Sequence, residues 1–349
     1  MVHDESRYPH SPDVAQRKQM DDGFSEGWGQ HFQPCERHIV DIHTHLWVRN
    51  SDAMLQLTGE WFKRMSATRL ERCVVLDGRA ETLENISAVS EKDPRLKYFL
   101  WMDYDQPNAE LVRKARAKGA IGLKMHNYKL MQKAVNPEVY LSPAWTEVFK
   151  ACAEHKLPIL WHVTQRYSES PGTGKPAMSY WKEQPGFDWN DLSKVKYPNR
   201  DMMAVFKTCM TNHRDVMFIG AHALHMGYAS LSKLCQQHSN LHFDTAYAGI
   251  LPYGQNMYPD DIREIRDYFL RYSDRILFGS DTILRANNVD WNLLSEDFLG
   301  HVRYIRELAL PEDVLQKVMH ENAERLCGLK PIVRIQPAGL VDFGPSTDW

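Results

Sequence analysis

Short apolar runs rich in β-branched residues recur along the chain from residue 38. They are HIVDI (38–42), CVVLD (73–77), YFLWMD (98–103), AIGLKM (120–125), PILWH (158–162), VMFIGA (216–221), LHFDTA (241–246) and ILFGSD (276–281). Runs that are apolar without alternation suit strands buried on both faces, as in a parallel sheet. Between them the apolar spacing changes to that of a helix. Pro107-Asn108 precedes a stretch carrying Leu111, Val112 and Ala115 that stops at Gly119. Ser142-Pro143 offers an N-cap and a first-turn proline ahead of Val148, Phe149 and Cys152. Asp260 to Tyr272 places Ile262, Ile265, Tyr268 and Phe269 on one face, and Pro311 opens a last helix, with Leu315, Val318, Met319 and Leu326, that Gly328 closes.

Eight strands alternating with helices predict an α/β fold, a (β/α)8 TIM barrel. The alternative is an open doubly wound sheet, but no G-x-G-x-x-G follows any strand. The barrel is expected over residues 38–330. Residues 1–37 lack periodicity and read as an arm, with Trp28, Phe32 and Phe24 as docking aromatics; 331–349 read as a tail. Roughly 50 residues separate strands five and six, and a barrel connection of that length is usually functional. Its segment 167–192 is rich in Gly, Pro and aromatics, so the insertion over 167–200 reads as a lid or pocket wall.

Composition narrows the class. Lys plus Arg is 42 and Asp plus Glu is 45, a net charge of -3 that leaves no electrostatic footprint for nucleic acid. No apolar run approaches the ~20 residues of a membrane span, and the polar start MVHDESRYPHSPD shows no secretory core. Six cysteines without a C-x-x-C pair read as reduced thiols of a cytoplasmic protein.

The chemistry gathers where barrel active sites form, at the carboxyl ends of strands. Strand one ends in Asp41-Ile42-His43-Thr44-His45, strand four in Lys124-Met125-His126 and strand five in His162. Strand six ends in His222, with His225 a turn later, and strand eight in Asp281. In H-x-H on a strand both imidazoles face the same side. With His162 and Asp281 they make a mixed nitrogen–oxygen shell suited to zinc, manganese or iron rather than calcium. His222 is either a further ligand or a general acid/base. Lys124 is either a carboxylated metal bridge, an ammonium for a substrate anion, or half of a structural ion pair. Arg79, Tyr104, Arg166 and Arg285 follow strands two, three, five and eight and could orient a substrate carboxylate. The lid aromatics Tyr180, Trp181 and Trp189 could stack on a planar substrate.

These words resemble the amidohydrolase superfamily, in particular its amidohydrolase-2 branch of metal-dependent hydrolases and decarboxylases. The likeness is carried by VDIHTH (40–45), GLKMH (122–126), LPILWH (157–162), FIGAH (218–222), NLHFDTA (240–246), ILFGSD (276–281) and ENAERLCGL (321–329). The resemblance implies His43, His45, His162 and Asp281 as ligands of a divalent ion, zinc first, with His222 as catalytic histidine. Asp281 would double as activator of the water. Arg166, Trp181 and His225 are carried as substrate-binding candidates. Two words depart from the branch: AHALHMGY stands where a Gly-rich AHxGG is expected, and Asn127 replaces a proline after GLKMH. The implied activity is hydrolysis of an amide, ester or lactone of a small carboxylated or aromatic substrate. The alternatives are non-oxidative decarboxylation and, behind it, a ligand-binding barrel without catalysis. A homodimer is common in the branch.

Overall fold

The computed structural model describes residues 38–164, 196–226, 228–246, 259–286 and 289–331. The arm at 1–37, Arg166, the lid candidates Tyr180, Trp181 and Trp189, and the tail beyond 331 lie outside the described residues. Each apolar run forms a strand: β1 (Ile39–Trp47), β2 (Leu70–Gly78), β3 (Leu96–Trp101), β4 (Leu123–His126), β5 (Ile159–His162), β6 (Phe218–Gly220), β7 (Leu241–Asp244), β8 (Ile276–Leu277) and β9 (Thr282–Arg285). Neighbours pair in the order β8-β7-β6-β5-β4-β3-β2-β1-β9, every pair parallel.

The eighth run departs from expectation. It is not one strand ending at Asp281 but two short strands with a break between them. β8 pairs with β7 and β9 pairs with β1, as the two edges of a single strand would. Across the break, Ile42 N–H donates to the Phe278 carbonyl (3.0 Å) and Asp281 N–H to the His43 carbonyl (2.8 Å). Those bonds join the eighth strand position to the first, and the sheet closes as a (β/α)8 barrel.

Helices α1 (Ser51–Arg64), α2 (Leu83–Lys92), α3 (Ala109–Ala117), α4 (Tyr128–Gln132), α5 (Pro143–Glu154), α6 (Asn199–Asn212), α7 (Tyr228–Gln237), α8 (Pro259–Arg271) and α9 (Trp291–Glu307) lie between and after the strands. Their starts follow the expected chemistry. Asn50, Asn108 and Ser142 each accept a first-turn N–H of α1, α3 and α5 with the side chain. Gly119, two residues after α3, has φ +95°, a conformation that glycine adopts at least cost.

Two apolar layers result. The outer one lies between strands and helices and holds Trp61, Trp145, Phe149 and Phe206. The inner one fills the barrel with Val40, Ile42, Leu76, Phe99, Leu160 and Ile219. Ala323 and Cys327 complete the inner layer, so the terminal helix plugs the barrel. That helix is interrupted: α10 (Glu312–Gln316) and α11 (Asn322–Cys327) flank a π-helical turn at Lys317–Glu321. The extra residue in that turn leaves the Val318 carbonyl to accept from Phe278 N–H at 2.9 Å, tying the plug to the eighth strand.

Candidate metal centre

His43, His45 and Asp281 bring one ligand atom each within 4.8 Å of one another. Both His Nε2 atoms face the same oxygen, Asp281 Oδ1, at 3.3 and 3.4 Å. Plain alternation along β1 does not explain this. Val40 and Ile42 point into the barrel while Ile39 and Leu46 pack outward. Reaching His43 and His45 on the inner side therefore needs one slip of the pleat, and the β1–β2 register is irregular between Asp41 and Thr44. Asp281 comes in from the break between β8 and β9, where its backbone is left-handed (φ +61°). Gly279 permits the approach: a Cβ there would lie 2.9 Å from His43 Cβ and 3.2 Å from Asp244 Cβ.

Two carboxylates that the sequence reading passed over aim the imidazoles. Asp244, last residue of β7, bonds His43 Nδ1 at 2.6 Å, and its other oxygen accepts the His222 N–H at 2.7 Å. Asp77, near the end of β2, meets His45 Nδ1 at 3.0 Å and accepts the Leu46 N–H at 2.9 Å. A carboxylate on Nδ1 holds the hydrogen there and turns the Nε2 lone pair toward a metal. The signal was in the sequence: Asp77 closes the word CVVLD, and Asp244 stands near the end of LHFDTA.

The electrostatics follow from burial among carboxylates. Burial, with Lys124 and His45 nearby, keeps His43 neutral well below the usual imidazole range. Burial also opposes charge on His45, but Asp77 and Asp281 outweigh it and raise its pKa to about 9. Burial would raise Asp281, yet His43, His45 and His222 hold it well below the usual carboxylate range. His222 is pushed down to about 4, mainly by burial, against the pull of Asp281.

His162 stands next to this group rather than within it. Its ring lies 4.5 Å from His222 and 4.2 Å from His126, centre to centre, and its buried Nε2 has no hydrogen-bond partner. His126 accepts the Tyr128 N–H on Nδ1 (2.9 Å) and stacks on Trp101. Lys124 is fully buried on β4, its Nζ also without a hydrogen-bond partner. Burial lowers its pKa to about 8, with Asp244, Asp281 and Asp77 opposing.

The two departures in the sequence words gain physical roles. Asn127 bridges β4 and β5: its Nδ2 donates to the Val163 carbonyl and its Oδ1 accepts from Trp161 Nε1, each at 2.9 Å. The AHALH word runs through four consecutive left-handed residues, with φ of 54°, 47°, 57° and 50° at His222, Ala223, Leu224 and His225. In a three-residue turn, positions i and i+3 eclipse. His222 and His225 accordingly stack, 5.0 Å apart and 25° from parallel, and His225 is 5.6 Å from His162. Thr164 secures the turn by donating to the Leu224 carbonyl at 2.6 Å.

The remaining candidates divide. Arg79 lies over Trp101 (4.4 Å) and pairs with Asp103 (3.5 Å), and Trp101 in turn neighbours His45 at 6.3 Å. Tyr104 is buried, its carbonyl accepting from Trp145 Nε1, which is a packing role. Arg285 ends β9.

A divalent ion fits this group. His43 Nε2 is buried and, although 3.3 Å from Asp281, makes no hydrogen bond; two imidazoles and a carboxylate are a donor set for zinc, manganese or iron.

A family model described as Amidohydrolase matches residues 40–329. The sequence matches no curated protein. Among solved structures, the chain is similar to 5-carboxyvanillate decarboxylase from Sphingomonas paucimobilis, with 12% identity and a TM-score of 0.56 over 84% of this chain and 99% of that one. It is similar to the probable 2-pyrone-4,6-dicarboxylic acid hydrolase of Acinetobacter baumannii, solved with citric acid bound, with 10% identity and a TM-score of 0.53 over 83% and 99%. The 5-carboxyvanillate decarboxylase of Novosphingobium aromaticivorans, solved with manganese, shows 11% identity and a TM-score of 0.53 over 84% and 97%. At such identities the likeness establishes the fold.

Proposed function

This chain belongs to the amidohydrolase family, and from that premise we propose that it is a metal-dependent hydrolase. It would open an amide, ester or lactone bond of a small carboxylated or aromatic substrate. The observation that carries the reading is Lys124, a buried amine without a hydrogen-bond partner close to the carboxylates of the candidate metal centre. An unpaired buried cation is costly, and an anionic substrate group would satisfy it.

His43, His45 and Asp281 would hold the ion, most simply zinc, with His162 Nε2 as the fourth donor. When bound, the ion lowers the pKa of a water toward neutrality and polarises a carbonyl. Lys124 binds the substrate anion or the negative charge that develops on the carbonyl oxygen. His222, neutral because it is buried, takes or returns a proton at the reacting atoms. Asp281 orients the attacking water. Arg166, Trp181 and His225 remain our candidates for the substrate wall. The cysteines Cys73, Cys152, Cys209, Cys235 and Cys327 are free and buried, which suits a reducing cytoplasm. No helix among the described residues is long and apolar enough to cross a membrane.

Decarboxylation is the second reading, favoured by the same residues. Lys124 would seat the carboxylate that leaves as CO2, and His222, once it has picked up a proton from solvent or substrate, would deliver that proton to the carbon left behind. The test is zinc- or manganese-loaded protein incubated with 2-pyrone-4,6-dicarboxylate and with 5-carboxyvanillate, followed by absorbance and CO2 release. Ring opening without CO2 supports hydrolysis; CO2 without ring opening replaces it with decarboxylation. Lys124→Met should depress whichever reaction occurs by 100-fold or more, about the loss of one strong charge contact.

A further inference from the structure

We propose that Asp41 is the positioning residue of the metal centre, its carboxylate holding both arms of the ligand set, the His43–His45 strand and the bent Asp281, in register from the far side of the barrel wall. The inference rests on reading His43, His45 and Asp281 as that ligand set.

Asp41 is fully buried. It lies between the inward-facing Val40 and Ile42, beside Cys73 of β2 in the outer layer. Its Oδ1 accepts two backbone N–H groups, those of His43 and Ser280, each at 3.0 Å. Its Oδ2 accepts the hydroxyls of Thr44 (3.0 Å) and Ser280 (2.5 Å). All four donors are uncharged. Two sit on the strand that carries the histidines, and two on the residue immediately before Asp281.

Burying a carboxylate without a cation is expensive, and joining two parallel strands needs no charge. The structure accepts this cost where it also slips the pleat of β1 and bends Asp281 into a left-handed conformation. Such backbone conformations persist only where the surroundings over-determine them. Asp41 supplies that over-determination at both places at once. No other side chain among the described residues is hydrogen-bonded to both His43 N–H and Ser280 N–H. His43 and Asp281 approach within 3.3 Å only if the two arms keep their relative height.

The test uses the full-length protein and zinc alone. Wild type, Asp41→Asn and Ser280→Ala are compared by chelator-competition affinity and by thermal unfolding with and without zinc. Asp41→Asn should bind zinc roughly 10- to 100-fold more weakly, the usual cost of losing a group that orients ligands. Its zinc-induced rise in Tm should shrink to match. Ser280→Ala should move both readouts in the same direction by a smaller factor, and it carries the test if Asp41→Asn does not fold. Variants that bind zinc like wild type, with Tm lowered equally in the apo and loaded states, would overturn the proposal and leave Asp41 a strand staple. A wild type that binds no zinc would overturn the ligand set itself and this inference with it.

Discussion

Lys124 is where stability and chemistry pull apart most at the scale of a single residue. A buried amine costs the fold free energy, and an apolar side chain of similar length removes that cost. We expect Lys124→Met to raise stability by about 2 kcal/mol while activity falls; denaturant unfolding beside an activity assay checks both signs. Asp244 behaves differently, because its carboxylate orients His43 and receives the His222 N–H. Asp244→Asn should weaken metal binding about 10- to 100-fold without emptying the site, a loss that metal titration measures. Legibility at this scale was uneven. His43, His45 and Asp281 were visible because imidazoles and carboxylates at strand ends have few structural uses. Asp77 and Asp244 stood equally at strand ends but read as ordinary strand termini, since a residue that touches only a ligand leaves no spacing signature.

Among the elements, the turn after β6 carries the most strain. A left-handed residue other than glycine costs roughly 1–2 kcal/mol, and the AHALH word places four in a row. The glycine-rich word expected there would avoid the cost but could not present His225 beside His222. Ala223→Gly should therefore stabilise the protein by about 0.5 kcal/mol, where the same exchange inside a helix, such as Ala151→Gly in α5, should cost about 1 kcal/mol. Chemical denaturation of the two variants decides it, and an equal loss in both would remove strain from the account of this turn. The other elements sort by whether local chemistry decided them. Helix starts at Asn108 and Ser142 were readable because a side-chain cap acts within a few residues. The break between β8 and β9 and the π-turn at Lys317–Glu321 were not, because each exists to meet a distant strand.

For the whole molecule, acid should weaken the fold through histidines buried neutral. His242 is held down to about 3 by burial, with the Arg325 and Arg275 charges adding to it. The unfolded imidazole takes a proton near pH 6.5 and the folded one does not until about 3. Below 6.5 the unfolded chain thus binds more protons, and stability falls with pH by about 1.4 kcal/mol per pH unit for each such group. Urea unfolding at pH 7 and pH 4.5 should show this loss, and His242→Phe should reduce it. Removing the ligands has the opposite locality: His43→Ala with His45→Ala should abolish bound metal, read by mass spectrometry, while the barrel stays folded on its two apolar layers. Closure of that barrel depends on pairing the first strand with the eighth across more than two hundred residues.

The alternation of strands and helices, the barrel class and the H-x-H, His and Asp words were legible in the sequence alone, but not the break in the eighth strand or the π-turn of the last helix. The legible features rest on periodicity and residue type, which act locally and leave a mark every two or four residues. Only the tertiary structure decided which carboxylate turns which imidazole, that His162 stands beside the tight triad rather than inside it, and that Asp41 spans both arms from behind. Those are relations between residues as many as 239 positions apart, such as Asp41 and Ser280. They are set by the closure of the sheet, and no window along the chain contains them.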